Sequence, residues 1–212
     1  IEHLWPDADP QSGANRLHGV VHALRSVIEP HRAERTWLYV RNRGELYYLD
    51  IEAPLDIDLL RYRSLLNRGL RAVHDFAPQS IEALEQAVAL YRGELFEDEP
   101  YAEWCELERR ELAEQQVTAL ERLAAVLATQ GEAERSLELM RRAVRLAPYR
   151  EDLLVSLLDT LVHMGRPGEA RAQYDEFRKI LERELGAEPS RALEDFRRKV
   201  FRPTSRPPAM VR

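Results

Sequence analysis

The chain has 212 residues, with 31 lysines and arginines against 37 aspartates and glutamates and a formal net charge of −6 at neutral pH. That length supports one large or two small domains whose core needs no covalent staple. A single cysteine, Cys105, excludes a disulfide framework or a cysteine metal cluster built within the chain, and fits a reducing, cytoplasmic setting. No apolar run approaches the ~20 residues a bilayer crossing needs, and no signal peptide is visible, so a soluble protein with no membrane partner is expected. The chain opens at Ile1 in what reads as the middle of an element, and is expected to be a fragment.

Charge is unevenly placed. Residues 15–43 hold six arginines (Arg16, Arg25, Arg32, Arg35, Arg41, Arg43) against Glu29 and Glu34, a net +4, whereas residues 1–14 carry −3 and residues 44–212 carry −7. One basic island on an acidic protein points to a local surface for a polyanion.

Ile1 to Trp5 read as the last turn of a helix, stopped by Pro6 and a turn over Asp7 to Pro10. Ser12 or Asn15 can cap the next helix, whose Leu17, Val20, Val21, Leu24, Val27 and Ile28 form one apolar stripe expected to be buried. Its opposite face carries Asn15, His18 or Gly19, His22, and Arg25 or Ser26, with Arg16 beside them, a narrow line of groups able to donate to base edges or phosphates. His18 and His22 stand at i and i+4, but no glutamate and no third ligand accompanies them, so no metal is expected. Trp37 to Val40 and Leu46 to Leu49 read as two strands joined by a loop over residues 41–45, with Arg41 and Arg43 at or beside the hairpin tip. A hairpin beside a polar helix face is the plan of a winged helix, in which such arginines contact phosphates or a minor groove.

From Asp50 onward the pattern is helical. Asp56 can cap a helix with Ile57, Leu60, Leu65, Leu66, Leu70 and Val73 inward, and Pro78 opens a second that runs to Tyr91, with Gly93 just past it. Phe96, Tyr101 and Trp104 are expected to pin the next loop onto the core. A long helix from about residue 102 to 130 places Leu107, Leu112, Val117, Leu120, Leu123 and Leu127 on one face. Gly131 and Gly165 lie 34 residues apart, and the same step carries Leu120 onto Leu154, Leu123 onto Leu157, Leu127 onto Leu161, Met140 onto Tyr174 and Ala143 onto Phe177. That period is the signature of tetratricopeptide-like units, which bury their apolar stripes by stacking. In that geometry Thr118, Glu121, Ala125, Asp152, Val155, Asp159 and His163 line the groove. The second unit departs from the pattern, since its helix runs on to Leu185. Gly186 is then a natural stop, and Ser190 caps a final helix that closes the stack. The proline- and arginine-rich tail is expected to be disordered.

LWPDADPQSGANRLHGVVHALRSVIEP followed by YVRNRGELYYL resembles the second half of the winged helix of the Streptomyces antibiotic regulatory protein family, and LYRGELFEDEPYAEWCELERREL resembles that family's bacterial transcriptional activator domain. The resemblance implies a mainly α protein: a tetratricopeptide-like helical array (an α-α superhelix) preceded by the C-terminal half of a winged helix-turn-helix with a β-hairpin wing. It implies residues 1–50 as the DNA-binding part, with recognition helix 14–28 and wing 36–49, and residues 51–201 as the activator domain, followed by the tail 202–212. It further implies a DNA-binding activator that uses Asn15, Arg16, His18, His22, Arg25, Arg41 and Arg43 on double-stranded promoter DNA. The helical domain would support homodimerisation and contact with RNA polymerase subunits. The alternative is an interaction or signal-relay module of a larger regulator without DNA binding of its own. An enzyme is not expected, for the chain has no phosphate loop, nucleophile elbow or HExxH, and no cofactor is implied.

Overall fold

The computed structural model describes residues 1–2, 4–31, 37–72 and 78–201, with the backbone alone for Ala72. Arg32, Arg35, Thr36, Val73 and the tail 202–212, all part of the expectations above, lie outside the described residues. The chain divides into two compact units, Ile1–Leu59 and Leu60 onward.

In the first unit, helix α1 spans Pro10–Ile28. It starts ahead of Ser12 and Asn15 because Asp9 is the cap: its carboxylate accepts from the amides of Gln11 (3.1 Å) and Ser12 (3.0 Å), and Pro10 supplies a pre-set first turn. Hydrogen bonding from Ser12 holds the Asp9 carboxyl below the usual carboxylate range. The amides of Leu4 and Trp5 both donate to the Ile1 carbonyl. Gly13 lets Ile1 approach, since a Cβ there would lie 2.4 Å from the Ile1 Cγ2. Strand β1 is Val40–Arg43 and β2 is Leu46–Leu49, antiparallel with Arg43 opposite Leu46 and Arg41 opposite Tyr48. The turn is therefore only Gly44 and Glu45, with Gly44 at φ 62°, and Arg41, Asn42 and Arg43 belong to the ladder. Of the expected strand Trp37 to Val40, only Val40 enters the sheet.

The apolar stripe of α1 departs most from expectation. Val21 is buried, but Val20, Leu24 and Ile28 are exposed and Val27 is 78 % exposed. The side that meets the hairpin is the neighbouring one, through His18 against Tyr47 and Arg25 against Val40 and Tyr47. Among the described residues of this unit, only Val21 and Val40 are buried large apolar side chains.

The second unit stacks helices α2 (Asp58–Ala72), α3 (Pro78–Leu90), α4 (Glu106–Thr129), α5 (Ala133–Leu146), α6 (Glu151–His163), α7 (Pro167–Leu185) and α8 (Arg191–Val200). α2 buries Tyr62, Leu65 and Leu66, while Leu60 stays exposed. Gly69 brings α2 against α3, since a Cβ there would sit 2.6 Å from the Leu84 Cγ. The fully buried Gln116 on α4 accepts from the Tyr62 hydroxyl (3.2 Å) and donates to the Val88 carbonyl (3.3 Å), a polar bridge through the core that apolar periodicity does not announce. Burial pushes the Tyr62 phenol up.

Between α3 and α4 a short 3-10 turn, Glu103–Cys105, leads into α4. The aromatics do not pin this loop. Phe96, Tyr101 and Trp104 are exposed, as is Leu107 on α4, although Phe96 and Trp104 touch, with ring centroids 5.1 Å apart. Arg109, 8 % exposed, holds the loop instead, donating to the carbonyls of Leu95 (3.0 Å) and Glu99 (3.2 Å) and to the Glu106 carboxylate (3.1 Å). That grip accompanies a left-handed backbone at Phe96, φ 53°, which is costly for a bulky side chain.

The repeat folds as its spacing implies. Leu120, Leu123, Leu127, Met140 and Ala143 are buried, and so are their partners 34 residues on, Leu154, Leu157, Leu161, Tyr174 and Phe177. The turns repeat bond for bond: Glu132 donates to the Leu127 carbonyl at 2.9 Å and Arg166 to Leu161 at 2.8 Å, around Gly131 and Gly165 at φ 81° and 73°. α7 runs unbroken to Leu185 and stops at left-handed Gly186. Ser190 caps α8 by accepting from the Leu193 amide, and its own amide donates to Glu151 of α6 at 2.7 Å, which seats the last helix on the stack.

Candidate nucleic-acid interface

Positions 15, 19, 22 and 26 fall on one side of α1, and all four are exposed, as is Arg16 beside them. Gly19 leaves open space, with no atom within 4 Å of a Cβ built there. Asn15 has one long contact, accepting from the Gln11 amide at 3.5 Å, and Arg16 has no partner among the described residues. His22 lends only its backbone carbonyl, to the Ser26 hydroxyl at 2.9 Å. This side of the helix can therefore donate to an external acceptor without first breaking an internal bond.

His18 and Arg25 sit differently. The His18 ring meets Tyr47 edge-on at 5.9 Å. Arg25, expected on the outer face, is turned onto the hairpin: its Nε donates to the Val40 carbonyl at 2.8 Å, and its guanidinium lies 5.3 Å from the ring centroids of both Trp37 and Tyr47. It is half-buried and joins helix to hairpin. Glu29 strengthens the joint by accepting from the amides of Leu38 and Tyr39, at 3.0 Å each. No sequence pattern signalled either contact.

In the antiparallel register Arg41 and Arg43 share one face of the hairpin with Tyr48 and Leu46, opposite the face of buried Val40. Arg43 is exposed with no partner among the described residues. Arg41 donates to Asp50 at 2.8 Å, and that bond holds the Asp50 carboxyl below its usual range and raises the arginine. Among the described residues, then, Arg16, His22 and Arg43 have no side-chain partner, Asn15 has one long contact, Arg41 is tied to an acid at the surface, and Arg25 is committed to packing. Among the described residues no group of three His, Cys, Asp or Glu could hold a metal ion.

The helical unit has its own concavity, about 540 Å³, lined by Thr118, Glu121, Ala125, Arg150, Ser156 and Thr160 among others. The α4 wall is the one the repeat geometry implies, whereas α6 contributes Ser156 and Thr160 in place of the expected Asp152, Val155, Asp159 and His163. Burial raises the Glu121 carboxyl against the opposing pull of Arg150, whose guanidinium lies 3.5 Å away. No helix among the described residues is long and apolar enough to cross a membrane.

Residues 57–201 match the family described as the bacterial transcriptional activator domain. The chain is 27 % identical to the transcriptional regulator RedD of Streptomyces coelicolor over 194 residues, covering 91 % of this chain and 55 % of RedD. It is 25 % identical to the regulatory protein AfsR of the same organism over 203 residues, covering 95 % of this chain and 20 % of AfsR. The chain thus spans about half the length of one relative and a fifth of the other. Its fold resembles that of Mycobacterium tuberculosis EmbR, solved in complex with a low-affinity phosphopeptide, with a TM-score of 0.71 and 22 % identity over 94 % of this chain and 52 % of EmbR.

Proposed function

The chain belongs to the bacterial transcriptional activator domain family, within the Streptomyces antibiotic regulatory group, and from that premise we propose that it is a transcriptional activator that binds double-stranded DNA through its first unit. The observation that carries the reading is the open polar side of α1, with Arg16 and His22 lacking a side-chain partner among the described residues and Asn15 held by a single 3.5 Å contact, on a helix joined through Arg25 to a hairpin bearing exposed Arg43. In this reading Asn15 and His22 address base edges, Arg16, Arg41 and Arg43 address phosphates, and His18 and Arg25 position helix and hairpin. The helical unit supports dimerisation and contact with RNA polymerase. Selection of bound duplexes from a random pool with the 212-residue chain tests this. Asn15→Ala and His22→Ala should change which sequences are enriched, while Arg41→Ala with Arg43→Ala should weaken binding to all sequences alike. Retention of duplex that neither set alters would refute it.

A second reading, an interaction module that does not need DNA, is favoured by the groove of about 540 Å³ with its charged pair Glu121 and Arg150. Under that reading the random pool yields no enriched sequence.

A further inference from the structure

Helix α2 is basic in an acidic protein: residues 59–74 contain no aspartate or glutamate but hold Arg61, Arg63, Arg68 and Arg71. Its two sides are chemically distinct. Tyr62, Leu65, Leu66 and Gly69 are buried on one, and Arg61, Ser64, Asn67, Arg68 and Arg71 are exposed on the other. Arg61, Ser64, Arg68 and Arg71 follow the spacing i, i+3, i+7 and i+10, a single row about 15 Å long.

Most arginines of this unit are tied to acids: Arg63 pairs with Glu108, Arg135 with Glu85 and Glu132, Arg141 and Arg166 with Glu169, and Arg197 with Glu194. Arg68 and Arg71 have no ion-pair partner among the described residues. Two cations on one helix, without an ion-pair partner among the described residues and with the polar side chains of Ser64 and Asn67 exposed beside them, fit a regular polyanion. Arg68 and Arg71 stand about 4.5 Å apart along the helix axis, a length over which a duplex presents about three phosphate charges.

We propose that the Arg68–Arg71 row of α2 is a second DNA-contacting surface, one that grips the phosphate backbone without reading sequence. It rests on the reading that the chain binds duplex DNA, and it puts part of the binding surface on the activator domain itself. Its signature is the salt dependence of binding, because each neutralised phosphate steepens the fall of log affinity with log salt by about 0.9.

The test measures affinity of the 212-residue chain for a 30-base-pair duplex and an unrelated duplex of the same length, by fluorescence anisotropy across salt concentrations. Arg68→Ala with Arg71→Ala should flatten the slope by about 1.8, which shrinks the affinity lost between 50 and 200 mM salt about tenfold, equally on both duplexes. Charge reversal, Arg68→Glu with Arg71→Glu, should weaken binding further. Both side chains are exposed, and circular dichroism checks that the variants stay folded. Arg191→Ala with Arg198→Ala removes the same charge from α8, where both residues face Asp195, and should leave the slope unchanged. If the wild-type chain binds no duplex, the DNA-binding reading falls and this proposal with it. If it binds and the α2 variants keep the wild-type slope, or the α8 pair flattens it equally, only the proposal is overturned. Loss of poly-glutamate binding in the α2 variants with duplex binding intact would assign the row to an acidic protein and overturn it as well.

Discussion

Replacing Arg109 with methionine keeps much of the aliphatic volume and removes the fork. The guanidinium makes three bonds of 3.0–3.2 Å, to the Leu95 and Glu99 carbonyls and the Glu106 carboxylate, and longer ones to Phe96 (3.4 Å) and Pro100 (3.5 Å). At roughly 1.5 kcal/mol net for each of the three charge-assisted bonds the gross loss is about 4–5 kcal/mol. Water can reach the freed carbonyls because the loop lies at the surface, so the observed loss should be about 3 kcal/mol. Arg109→Lys keeps the charge but offers one ammonium where a planar fork spans several acceptors, and should lose about 2 kcal/mol. Urea unfolding followed by helical circular dichroism measures both, with Trp104 fluorescence reporting the loop. A loss below about 1 kcal/mol for the methionine variant, or a lysine variant indistinguishable from wild type, would refute the idea that one buried cation organises this segment.

Three more expectations follow from the stack. Gly69→Ala forces a Cβ against Leu84, 2.6 Å away, and should cost about 1–3 kcal/mol; an unchanged denaturation midpoint would mean that α2 and α3 can part freely. Leu157→Ala opens a cavity at a fully buried position of the repeat and should cost about 2–5 kcal/mol in the same assay, whereas a surface-like effect under 0.5 kcal/mol would deny that it is core. Glu121 has a folded-state pKa raised by burial, so its ionised form is disfavoured in the fold and stability is regained as pH falls through that value. Glu121→Gln should therefore stabilise the protein slightly at pH 7, by less than about 1 kcal/mol, and lose its advantage near pH 4; a variant less stable than wild type at pH 7 would show that the pairing with Arg150 outweighs burial.

The repeat was legible because its physics is periodic: leucines 34 residues apart meet the same neighbours, and glycines at positive φ close the same turns. The unit containing α1 was legible as helix plus hairpin but not in its packing. Periodicity says that Val20, Leu24, Val27 and Ile28 share a side, and cannot say that anything covers it. The placing of Arg25 between Trp37 and Tyr47, and of Arg109 under a loop whose rings stay outside, depends on contacts between distant residues that leave no local pattern. The first strand lies three residues later than its pattern suggests, while the second is where it was expected, because Gly44 and Glu45 suffice for the turn, a choice that a five-residue stretch rich in Asn, Gly and Arg leaves open.

The sparse interior of the first unit also sets a timescale. With Val21 and Val40 as its only large buried apolar side chains among the described residues, local opening of α1 costs far less than opening α6, five of whose leucines are sealed. Backbone amides along Pro10–Ile28 should trade their protons for deuterons early, while those of Glu151–His163 should hold theirs until the whole stack comes apart. One polypeptide would then keep two clocks, a fast one in the unit proposed to meet nucleic acid and a slow one where the scaffold must stay put.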